Sequence, residues 1–275
     1  MRARLSRVPF WVMVGGFVVV SLFPFFWIVV TSLKGSQELS QGTHGLLPAH
    51  ATLSAYRAVM TGSGFLRPLA NSAIVSVAAT VVSVVIGALA GYALARLRLP
   101  ARRLIMGFVL LAGFFPILAM VGPLFLVYRR VGLLDSYVGL VIAYLVYTLP
   151  IATWLLTNYF SQLPADLEEA AMVDGATRLQ ALWRVVVPVA LPGLFTAAIL
   201  SFILAWNDFA FALSFLQSPS RFTAPLSIVN LGQSQFQVFY NRIDAAVVII
   251  TVPVAALVLV AQRRIVTGLT AGALR

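Results

Sequence analysis

The chain alternates long apolar runs with short charged links. Six stretches carry no Asp, Glu, Lys or Arg: 8–33, 68–95, 104–128, 136–165, 185–207 and 245–262. A membrane-spanning helix needs about 20 residues, in a range of about 17–25. In lipid every backbone N–H and C=O must be satisfied within its own segment, so such runs must be helical. The pattern predicts six spans, at about 8–33, 68–95, 104–128, 136–160, 185–212 and 243–262. It predicts a single all-α transmembrane domain over 1–275, with no soluble module attached. The basic N-terminus is not read as a signal peptide. Its charge-free run of 26 residues is too long for an h-region, and no small-x-small cleavage site follows.

The polar positions between spans four and five, 161–184, have their own logic. Pro164 suits a first helical turn, where its missing N–H would have no partner anyway. Asp166, Glu168 and Glu169 then meet the positive end of the helix dipole. Ala170 and Ala171 are small enough for a close approach to a groove. Gly175 suits the left-handed conformation that ends a helix. Thr177-x-x-Gln180 has the form of a capping box that starts a second short helix. That helix is expected to carry Leu179, Leu182 and Trp183 toward the membrane. The prediction is a helix-turn-helix lying on the membrane surface.

Composition and charge change the picture in two ways. Hydrophobic residues make up 61% of the chain and charged residues only 10%, against about 25% charged in soluble domains. The net charge of +11 invites a nucleic-acid reading, but the basic residues lie at span ends, where they set orientation. With six spans, twelve of the nineteen fall on one side: Arg2, Arg4, Arg7, Arg96, Arg98, Arg102, Arg103, Arg178, Arg184, Arg263, Arg264 and Arg275. Both termini and the 161–184 loop are therefore expected in the cytoplasm. There is no cysteine, so disulfides, thiolate catalysis and Cys-ligated metal are excluded, and no metal site is expected. The pattern Gly87-x-x-x-Gly91 in span two favours close helix approach, read here as packing inside the bundle. Seven prolines lie in or near spans, and none by itself points to a substrate site.

The loop carries a recognisable spacing. Glu169-Ala170-Ala171, then Gly175, then Val185-x-Val187-Pro188 gives E-A-A-x3-G-x9-V-x-V-P. This resembles the cytoplasmic loop of permease subunits of binding-protein-dependent ABC importers. Asn71-Ser72-Ala73 at the start of span two resembles that family's N-S-small segment. Ala205-Trp206-Asn207-Asp208 resembles the W-N-[DE] segment of its carbohydrate-uptake members. The tail from Gln262 to Leu274, with Gly268-Leu269-Thr270-Ala271-Gly272, resembles the ending of the maltose-type second permease. Val185 and Val187 stand where Ile and Leu are usual, and Arg275 ends the chain in place of a Gly-terminated tail. The resemblance covers essentially the whole chain.

It implies a type I importer fold and import of a sugar such as trehalose or maltose through the bacterial inner membrane. It implies a heterodimer with a second permease, two copies of an ATP-binding subunit inside and a substrate-binding protein outside. Glu169, Ala170, Ala171, Asp174, Gly175 and Pro188 would couple to the ATPase. Gly268, Leu269, Thr270 and Gly272 would reach it through the tail. Gln233, Ser234, Gln235 and Phe236, in the large loop before span six, would touch the binding protein. Asn71, Trp206, Asn207 and Asp208 would line the translocation path or a subunit interface.

Energy must come from a partner. A Walker A loop needs G-x-x-x-x-G-K-[ST], and the only lysine stands in Leu33-Lys34-Gly35. ATP and Mg are therefore expected on partner subunits, with no cofactor in this chain and no enzymatic activity of its own. The rival class is an ion-coupled secondary transporter, which often shows inverted repeats and intramembrane ionisable groups. Here no repeat is evident. The conspicuous acids lie outside the membrane; Asp208, the only acid placed within a span rather than at its edge, is a functional-site candidate by type, toward the outer end beside Trp206. A membrane enzyme would need a nucleophile and base in the spans; both histidines, His44 and His50, lie in the first long loop, where they read as solvated surface residues.

Overall fold

The computed structural model describes residues 7–40, 45–62, 64–231 and 238–270. Its regular elements are helical, with no β-strand among the described residues. The chain divides into two compact units, 1–66 with 227–252, and 67–226 with 253–275.

In the first unit, α1 (Arg7–Ser32) is followed by the short α2 (Ser36–Ser40) and α3 (Ser54–Arg57), which runs on as a π turn over Ala58–Gly62. The apolar side chains of α1 are almost all exposed in the isolated chain. Such a helix is stable only with lipid or a partner around it. Helix α14 (Tyr240–Thr270) begins in this unit, where the Asn241 amide donates to Lys34 O and Ser36 Oγ, both at 3.1 Å.

The second unit is built on α4 (Leu66–Arg96) and α7 (Tyr137–Gln162), joined by α5 (Arg102–Gly113), α6 (Ile117–Val131) and α11 (Leu191–Trp206). Gly87 and Gly91 of α4 lie against α7: a Cβ at Gly87 would sit 3.0 Å from Ala152 Cβ, and one at Gly91 3.1 Å from Leu156 Cβ. The small-residue spacing therefore serves packing inside the bundle, as its pattern indicated. Ser83 of α4 and Thr148 of α7 share a hydroxyl hydrogen bond of 2.6 Å between the same helices.

Among the described residues, four helices are long and apolar enough to cross a membrane, and the number reaches six if each of two bent pairs counts as one span. The two bent pairs fall at the third and fifth expected spans. The segment expected at 104–128 is two helices, α5 and α6, meeting at 88°. Pro116 cannot donate to the helix ladder and disfavours helical geometry at Phe115, and α6 restarts directly after it. The segment expected at 185–212 turns by 81° at Ala190, between the helical stretch Arg178–Val189 and α11. Here Pro192 fits the first turn of the new helix, where no N–H is needed. Helix α11 then stops at Trp206, and α12 (Ala210–Phe215) begins after a short break. The large loop before the sixth expected span contains α13 (Ala224–Leu231).

Candidate functional site

The 161–190 region is where the sequence concentrated its signals. Helix α7 ends at Gln162, and the chain turns through an extended Leu163 into α8 (Asp166–Val173). Pro164 lies two residues before the first helical residue, not within the first turn as expected. Asp166, Glu168 and Glu169 do occupy that turn, where the exposed N–H groups favour negative charge.

The helix ends as a Schellman motif. Ala176 N–H donates to Ala171 O at 3.0 Å, and Gly175 N–H to Met172 O at 3.1 Å. Gly175 has φ +89°, a value a Cβ makes costly. Thr177 starts α9 (Arg178–Ala181) with a complete capping box: Gln180 N–H donates to Thr177 Oγ1 at 3.3 Å, and Thr177 N–H to Gln180 Oε1 at 2.9 Å. Helix α9 continues as a π turn over Leu182–Val186 and a last helical turn, α10 (Val187–Val189). Pro188 sits in this last turn, directly after the π segment. Pi turns recur where a helix must re-aim side chains.

The region has an inner and an outer face. Leu182, Val186 and Ala190 are buried in one cluster with Tyr92 of α4 and Ala152, Leu156 and Phe160 of α7, and Ala181 is buried as well. The outer face exposes Leu167, Val173, Leu179 and Trp183. Of the three residues expected to turn toward the membrane, Leu182 turns inward, while Leu179 and Trp183 stay 57% and 41% exposed. Glu169, Ala170, Asp174 and Gly175 are exposed as well, and Ala171 is half-buried.

One constellation was not anticipated. Glu168, next to the motif glutamate, is buried at 5% exposure. Its Oε1 accepts a short hydrogen bond from the Tyr92 hydroxyl. Its Oε2 lies 3.5 Å from Arg96 Nε. Arg96 also donates through Nη2 to Leu163 O at 2.8 Å, capping the C-terminus of α7. Sequence reasoning read Arg96 only as an orienting charge. The available signal was an arginine closing one helix and a doublet of acids opening another.

At the opposite end of this unit, Asn71 donates to Ser220 O and Phe222 O at 3.1 and 2.9 Å and accepts from the Tyr137 hydroxyl at 2.8 Å. Ser72 Oγ accepts from Ala224 N–H at 2.8 Å. Asp208 is buried in the break after α11 and accepts from Ala212 N–H at 3.1 Å, which caps α12. The Tyr144 hydroxyl also bonds to it. Trp206 is buried too, whereas Asn207 is exposed. Asn71, Trp206 and Asp208 are thus turned into the chain's own packing.

Two sets of expected residues lie at the edge of the description. Gln233, Ser234, Gln235 and Phe236 fall outside the described residues, as does Gly272. Gly268, Leu269 and Thr270 belong to the last turn of α14.

Comparison with known proteins agrees with this architecture. Residues 83–269 match the model of the family described as binding-protein-dependent transport system inner membrane component. The trehalose transport system permease protein SugB of Mycobacterium tuberculosis is 43% identical over 271 residues, covering 98% of both chains. The trehalose/maltose transport system permease protein MalG of Thermococcus litoralis is 38% identical over 259 residues, covering 94% of this chain and 92% of that one. A chain from the crystal structure of a bacterial ABC transporter that imports the acidic polysaccharide alginate superposes with TM-score 0.80 at 28% identity, covering 94% of this chain and 96% of its own. By sequence match, helix order and the bent loop between its fourth and fifth apolar segments, this chain belongs to the inner membrane components of binding-protein-dependent transport systems.

Proposed function

We propose that the chain is a permease subunit of an ATP-driven importer for a disaccharide of the trehalose or maltose kind. The observation that carries this reading is the two-faced α8–α9 unit. Its inner face is fixed by Glu168 and the Leu182 cluster. Its outer face offers apolar Leu167, Val173 and Leu179 beside acidic Glu169 and Asp174. A helix anchored on one side and open on the other is suited to receive force from a docked subunit.

In this reading Glu169, Ala170, Ala171, Asp174 and Gly175 meet an ATP-binding subunit, two copies of which hold ATP and Mg. Pro188 holds the bend behind them. The chain is itself no enzyme. The arginine excess in the segments expected on the same side as the 161–184 loop supports a cytoplasmic location for both termini. A second, similar permease completes the path, and the exposed Asn207 is the member of the W-N-D segment free to face it. The tail through Gly268, Leu269, Thr270 and Gly272 reaches the ATPase, and the segment with Gln233, Ser234, Gln235 and Phe236 meets the binding protein.

The test is reconstitution in liposomes with the partner subunits. Labelled trehalose or maltose should enter only with ATP and binding protein present, and cysteine at Ala170 should crosslink to the ATPase subunit. Uptake that follows a proton or sodium gradient without ATP would instead favour an ion-coupled carrier.

A further inference from the structure

We infer that Glu168 is a positioning residue that locks α8 to the end of α4, so that force received by α8 moves the bundle and is not spent in bending the loop. The inference rests on the ATPase-docking reading above. Two side chains of α4 converge on one carboxylate. Tyr92 and Arg96, one turn apart on α4, both reach Glu168. Arg96 in addition holds Leu163 O, the junction from which α8 departs. The side chains of Arg96 and Glu168 are only 13% and 7% exposed.

Without this tie the junction is weak. Leu163 to Ala165 is a short connector outside any helix, free to hinge. A charged pair shielded from water holds its geometry far better than an exposed one, which is worth little. Glu169, the neighbour expected to matter most, is exposed and has no such ion pair among the described residues. The two acids therefore divide the work: Glu169 faces outward to a partner, and Glu168 faces inward to the bundle. On the sequence they are indistinguishable.

The chain has no cysteine, so labels can be placed cleanly. Spin labels at Arg98→Cys, two residues past the end of α4, and Asp166→Cys, in the first turn of α8, report the separation of the two helix ends by pulsed electron resonance in the assembled importer. The expected separation is the same in nucleotide-free and ATP–vanadate states. Glu168→Gln should broaden it and lower transport per ATP hydrolysed by about tenfold, the scale of a strong coupling residue. ATPase subunits should still copurify. A second variant removes the ion pair and replaces it: Arg96→Cys with Glu168→Cys should be uncoupled when reduced and recover when bridged by a short bis-thiol reagent. A separation that changes between nucleotide states in the native background would overturn the inference, and so would full coupling in the reduced double variant. Failure of the docking reading looks different, because cysteine at Ala170 would then find no ATPase subunit to crosslink.

Discussion

Gly193 of α11 is seated on the ring of Tyr159 of α7, so closely that a Cβ at 193 would fall within 3.0 Å of three ring carbons. No rotation of the Tyr159 ring about its own axis relieves a contact with Cγ. Gly193→Ala should therefore push α7 and α11 apart or drive Tyr159 from its rotamer, at about 1–3 kcal/mol for overpacking. Thermal stability of the purified chain in detergent should fall. Tyr159→Ala in the Gly193→Ala background should recover part of the loss, because the obstacle is then gone. An additive loss in the double variant would show that the contact is not the cause.

The α4–α7 seam gives a paired test. Gly91 leaves only 3.0 Å between a built Cβ and Thr157 N, whereas Gly107 of α5 has nothing within 4 Å. Gly91→Leu should destabilise the chain by several-fold more than Gly107→Leu, although both lie in apolar helices. Equal melting temperatures for the two variants would remove close approach as the reason for glycine at 91.

Gly175 is the point where α8 must end. At φ +89° an L-residue with a branched Cβ costs about 1–2 kcal/mol or more, and the Schellman bonds from Gly175 and Ala176 would be strained. Gly175→Val should leave the chain in the membrane but abolish ATP-driven uptake, while Gly175→Asn, which tolerates positive φ better, should retain part of it. Normal uptake by Gly175→Val would mean that the orientation of α8 does not transmit force.

Much of this was legible in the sequence, and the reasons are local. The Gly175 turn, the Thr177 capping box and the acids in the first turn of α8 all satisfy backbone groups within a few residues, so their spacing alone determines them. The apolar runs likewise announce helices because lipid leaves no alternative. What the sequence hid depends on distance. The Arg96–Glu168 pair joins residues far apart in the chain, and nothing in the string E-E says which acid turns inward. The bends at Pro116 and Ala190 were hidden for a different reason: prolines are common in membrane helices, and only packing decides which of them breaks one. The same holds for Asn71 and Asp208, each of which bonds both to backbone groups and to a tyrosine hydroxyl, of Tyr137 and Tyr144, far away along the chain.

Asp135 makes a last prediction, at the end of the unit opposite to α8. It stands between α6 and α7 at φ +50° and reaches across to the chain after α12. Its Oδ1 accepts from the N–H groups of Gln217 and Ser218, both at 3.0 Å, and its Oδ2 accepts from Ser218 Oγ at 2.5 Å and lies 3.3 Å from Arg221 Nη1. Partial burial pushes this carboxyl upward, but the Ser218 and Gln217 hydrogen bonds and the Arg221 charge outweigh it and hold it below its ordinary 3.8. A carboxylate with a depressed folded value stabilises the fold fully above its unfolded value, and the contribution is lost as pH falls through the folded one. The tether should thus be intact from pH 7 down to the ordinary carboxylate range and fail only below it. Asp135→Ala should cost about 1.5–3 kcal/mol, the scale of hydrogen bonds to a charged group. Melting curves in detergent would then show a constant gap between the native chain and Asp135→Ala near neutrality, closing as the pH drops under 3.8. A gap that closes well above that value, or one that persists unchanged under it, would mean that the charge on Asp135 is not what ties the loop.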